Sequence, residues 1–115
     1  MSVTTLKITI DTLTHAVELL RNLGANYGTV MCFDNARSRL VEAEKALAHV
    51  MPQTAVDLVV RAKTNVQMVT KHQDFNSPVG VLTRGLLFTL TDKLSTLESE
   101  LIQHNEQPSK IGGVI

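Results

Sequence analysis

The sequence predicts an all-α protein, folded as a single-domain antiparallel bundle of four helices. Three observations carry that expectation. Leu87, Leu90, Leu94, Leu97 and Leu101 recur in alternating steps of three and four, the spacing of one helix face. The same spacing returns in three further stretches of the chain. Between the stretches stand glycine, proline and asparagine clusters of the kind that end one helix and begin the next.

The first helix is expected from Val3 to Leu23, on a seam of Val3, Leu6, Ile10, Leu13, Val17 and Leu20. Its start carries a competing signal, because Thr5 to Ile10 alternates polar with apolar residues and is rich in β-branched side chains. The alternative fold is therefore a helical domain with a short two-stranded β element from residues 4–10 and 28–33. The helix is preferred because its seam occupies more positions than the alternation does. Arg21, Asn22 and Gly24 supply a cationic last turn and a glycine stop.

Asp34 is the expected N-cap of a second helix that runs to about Met51, with Phe33, Ala36, Leu40, Ala43, Leu47 and Val50 as its seam. Pro52 ends it. Thr54 and Asp57 then have the spacing of a capping box for a third helix, which runs to about Gln73 on Ala55, Val59, Ala62, Val66 and Val69. Val56 and Val60 widen that stripe. Ser77-Pro78 reads as a cap followed by a proline in the first turn of a fourth helix, ending near His104. The chain thus divides into a helical bundle domain, 1–104, and a flexible C-terminal tail, 105–115, that holds Pro108, Gly112 and Gly113.

Charge is balanced but unevenly placed. Eleven basic and eleven acidic residues cancel, which argues against nucleic-acid or membrane-surface binding through bulk charge. Arg61, Lys63, Lys71 and Arg84 lie on and after the third helix, while Asp92, Glu98 and Glu100 lie on the fourth and Glu106 just beyond it. Folding the two helices about Asn76 sets Arg61 opposite Asp92. Aromatic residues make up only 3% of the chain, too few for base-stacking platforms.

No apolar run approaches the roughly 20 residues of a membrane span. Met1 to Lys7 lacks the charged start and apolar block of a secretory signal, so a cytoplasmic setting is expected. The single cysteine, Cys32, has no intramolecular partner and reads as a small buried hydrophobe.

The residues of catalysis do not assemble. His15, His49, His72 and His104 lack the paired Glu and His spacing that a bundle-borne metal pair requires. A phosphoryl-accepting histidine wants a cation three residues on and a glycine next, whereas His15 is followed by Glu18 and Leu19. No glycine-rich loop with a following lysine is present to cradle phosphate. No catalytic residue, cofactor or metal is assigned.

Association is what remains. Val81, Gly85 and Phe88 stand at i, i+4 and i+7, on the side of the fourth helix away from Leu87, Leu90 and Leu94. The first helix repeats the doubling, with Ile8, Leu19 and Leu23 off its main seam. A helix apolar on two sides is either central in its bundle or covered by another chain. The expected function is therefore a small non-enzymatic protein–protein interaction module, such as a regulator, adaptor, inhibitor or export chaperone. It would act as a homodimer or on a protein partner through Val81, Gly85 and Phe88. The alternatives are a nucleic-acid-associated regulator using the basic third helix and a small enzyme with an unrecognised site.

Overall fold

Hydroxyl groups decide how the chain begins. Thr9 Oγ1 donates to the Thr5 carbonyl at 2.8 Å, and Thr12 and Thr14 donate to the carbonyls of Ile8 and Ile10 at 2.9 Å. Each hydroxyl returns to the preceding helical turn, so these β-branched residues are accommodated in a helix without an unpaired polar group. Helix α1 (Val3–Asn22) is accordingly continuous in the computed structural model, which describes residues 3–72 and 75–114 and the side chains of 4–72 and 75–103. Residues 4–10 and 28–33 are both helical, and no strand occurs among the described residues, which removes the two-stranded alternative.

Helix α1 closes on Gly24, whose φ of +75° lets Ala25 N–H reach back to the Leu20 carbonyl at 2.9 Å. Helix α2 (Tyr27–Ala48) then starts well before Asp34. Its cap is Asn26, whose side-chain oxygen accepts from Thr29 N–H at 2.8 Å. Asp34 lies inside the helix and pairs instead with Arg37 at 3.0 Å. The C-terminus of α2 repeats the closure of α1: Met51 N–H donates to the Ala46 carbonyl at 2.8 Å and Val50 N–H to Leu47 at 3.1 Å. The left-handed residue here is Val50, at φ +57°, where a β-branched side chain costs about 1–2 kcal/mol.

Pro52 begins helix α3 (Pro52–Gln67) as well as ending α2, because its missing N–H falls among the amides that the first turn leaves unbonded anyway. The expected box at Thr54 does not form. Asp57 accepts from Gln53 Nε2 at 3.3 Å, and Met51 occupies the cap position without a side-chain bond. A 3-10 turn, Met68–Lys71, follows α3. Helix α4 (Pro78–Val114) opens as the sequence indicates, with Gly80 N–H donating to Ser77 Oγ at 2.9 Å. It continues past His104, the expected end, while the side chains of the expected 105–115 tail lie outside those described.

Each helix packs on the next, and α4 returns to α1 to close the ring. The expected seams meet in the middle: Leu6, Leu13 and Leu20 from α1, Phe33, Ala36 and Leu40 from α2, Val59 and Val66 from α3, and Leu90, Leu94 and Leu97 from α4 are buried. Each large apolar side chain so placed contributes about 1.5–3 kcal/mol. Val56 joins this core, but Val60 and Val50 are exposed. Buried Thr83 satisfies its hydroxyl on the Val79 carbonyl at 2.7 Å. Cys32 is buried on α2, and desolvation pushes its thiol pKa above the ordinary value.

Candidate interaction surface

Helix α4 divides its apolar residues between two faces. Leu87, Leu90, Leu94, Leu97 and Leu101 point into the bundle. Val81 and Phe88 do not: they remain 56% and 65% exposed, a large fraction for apolar side chains of that size. Gly85 lies between them on the same face, and nothing within 4 Å occupies the space where its side chain would be. The structure thus brings together the three residues singled out from spacing, as a notch with a valine on one side and a phenyl ring on the other. Two charged residues flank the ring. Arg84 precedes Phe88 by one helical turn and Asp92 follows it by one, and both are exposed.

The neighbouring surface continues on α1. Contact between α1 and α4 is the sparsest of the four helix pairings, and it leaves a groove of about 300 Å³. Thr5, Ile8 and Thr9 line one wall, with Asp92, Lys93 and Thr96 on the other. Ile8 is 53% exposed beside it, and Leu19 and Leu23 are exposed farther along α1. The second apolar stripe expected on α1 therefore lies outside the core, like that of α4.

The charge register between α3 and α4 differs from the one expected. Lys63 Nζ donates to Glu98 Oε1 at 2.7 Å, and Arg61 makes no ion pair with Asp92. The observed pair sets a register different from simple folding about Asn76. One consequence is that Lys63 is neutralised within the bundle, so the basic group on and after α3 loses a member. Another is that Arg84 and Asp92 have no ionic partner among the described residues. Spacing alone held that signal, since the two charges stand four residues either side of Phe88.

Two of the four histidines have structural roles. His49 closes the end of α2, with Nδ1 2.8 Å from the Lys45 carbonyl. The carbonyl of His72 accepts from Asn26 Nδ2, which ties the 3-10 segment to the start of α2. His15 is exposed on α1, and the side chain of His104 lies outside those described. No group of three His, Cys, Asp or Glu side chains converges among the described residues, and no described helix is long and apolar enough to cross a membrane. No protein-family model, curated protein or solved structure matches this chain.

Proposed function

We propose that this protein is a non-enzymatic protein–protein interaction module of the cytoplasm, acting through the outer face of α4. The observation that carries the reading is the exposure of Phe88 and Val81 on a helix whose opposite face is fully used by the core. Removing two such side chains from water is favourable only where another surface covers them, and exposed apolar clusters on small domains mark such places. Gly85 supports the same reading. A glycine in a helix interior costs about 1 kcal/mol relative to alanine, and an open notch allows a partner's backbone or side chain to approach closely. A single buried thiol and balanced charge suit a reducing compartment and a protein ligand rather than a polyanion.

Phe88→Asp tests the reading. The residue is exposed, so helix content and melting should remain near those of the parent. The mass measured by light scattering should fall from an associated species to a monomer, or an immobilised chain should cease to retain its protein partner. Association undiminished in the variant would sink the assignment to this face.

A further inference from the structure

We propose that the partner of the α4 face is a second copy of this chain, docked antiparallel about a two-fold axis, with Arg84 of each copy meeting the partner's Asp92. The inference rests on the reading of α4 as an association surface and adds the occupant and its direction. Charge complementarity singles out the occupant. Arg84 and Asp92 flank Phe88 by one turn on either side, both are exposed, and neither has an ionic partner among the described residues. Eight residues separate them, about 12 Å along the axis, too far for a pair within one helix.

A face with a cation before its centre and an anion after it complements itself only when one copy is reversed. Two parallel copies would set Arg84 against the partner's Arg84, whereas two antiparallel copies exchange the signs. The apolar residues fit the same direction. With the axis midway between Gly85 and Phe88, each phenyl ring enters the open space above the partner's Gly85. In that register Arg84 and the partner's Asp92 are offset by three residues, about 4.5 Å along the helix axis, an offset that the long arginine side chain can span. Zero net charge leaves no overall repulsion between copies.

The test uses Arg84→Asp and Asp92→Arg in the full chain, alone and mixed in equal amounts, with self-association followed by sedimentation over a dilution series. Each variant alone places like charges at both symmetric contacts and should associate about ten-fold more weakly than the parent. In the mixture every contact again joins opposite charges, so association should return to the parental level as a heterodimer. A mixture no stronger than its components overturns the antiparallel pairing. A parent that stays monomeric at every concentration overturns the second copy as occupant. In that event Phe88→Asp still distinguishes the readings, because loss of a different protein ligand would keep α4 as the surface while ending the homodimer.

Discussion

The imidazole of His72 lies over the backbone of Gly28, so close that a Cβ on that glycine would sit 2.6 Å from Nδ1 and 2.8 Å from the ring carbon behind it. Gly85, in the interior of α4, has nothing within 4 Å. The two should respond oppositely to the same substitution. Gly85→Ala gains helix propensity worth up to about 1 kcal/mol and should raise the melting midpoint of the dilute protein. Gly28→Ala must push His72 aside and disturb the hydrogen bond from Asn26 to its carbonyl, so it should lower the midpoint. Thermal melts of both variants at low concentration decide the matter, and equal shifts would mean that His72 is not held where it lies.

The contact between Lys63 and Glu98 gives a second expectation. Each side chain is about one-quarter exposed, so a double-mutant cycle should return a coupling of about 0.5–1 kcal/mol. Molar salt should shrink it. The same cycle on Arg61 and Asp92 should return no coupling, since the register keeps them apart. A reversed ranking would require α3 and α4 to slide against one another.

Val50 offers a stabilising change. It holds a left-handed conformation at 85% exposure, with no packing to lose. Val50→Gly relieves about 1–2 kcal/mol of backbone strain against a glycine entropy cost of about 0.5–1 kcal/mol. The expected net gain of roughly 1 kcal/mol corresponds to a rise of a few degrees in melting midpoint. Gly24→Ala, at the matching position after α1, should move in the opposite direction. A midpoint lowered by Val50→Gly would show that the valine is held by something other than backbone geometry.

Core truncation sets the scale for these effects. Leu94 is fully buried on the inner face of α4, and Leu94→Ala should cost about 2–5 kcal/mol. Chemical denaturation of that variant beside Phe88→Asp separates the two faces of one helix: the inner change should destabilise strongly and the outer one little.

These contrasts also mark where the sequence could and could not be read. The four seams were legible because burial imposes the three-four spacing directly, as with Leu90, Leu94 and Leu97. Ser77 was legible as a cap because its hydroxyl acts within one turn. The start of α2 was not, because Gly28 signals a connection locally and its role depends on His72, far away in sequence. Asp34 had the composition of a cap but lay inside a helix already opened by Asn26. Pro52 reads as a stop from one side and as a first helical position from the other, and only the left-handed turn at Val50 allows both. The exposed face of α4 was visible as spacing. Its charged flanks were obscured because Asp92 was assigned to Arg61, and connection geometry, not composition, decides which charges meet.

Cys32 gives the molecule a reporter of its own opening. It is the sole thiol, buried on α2, and desolvation raises its pKa above the ordinary value. A thiol-directed reagent therefore meets a shielded sulfur while the chain is folded, and labelling is expected to proceed through transient exposure of α2. The rate of that labelling becomes a measure of opening in native buffer, read at one atom without denaturant. Mass action adds a further use: if two copies bind only in the folded form, labelling must slow as the protein is concentrated. One sulfur thus records the cohesion of the bundle and tests the proposed assembly through α4 in the same measurement.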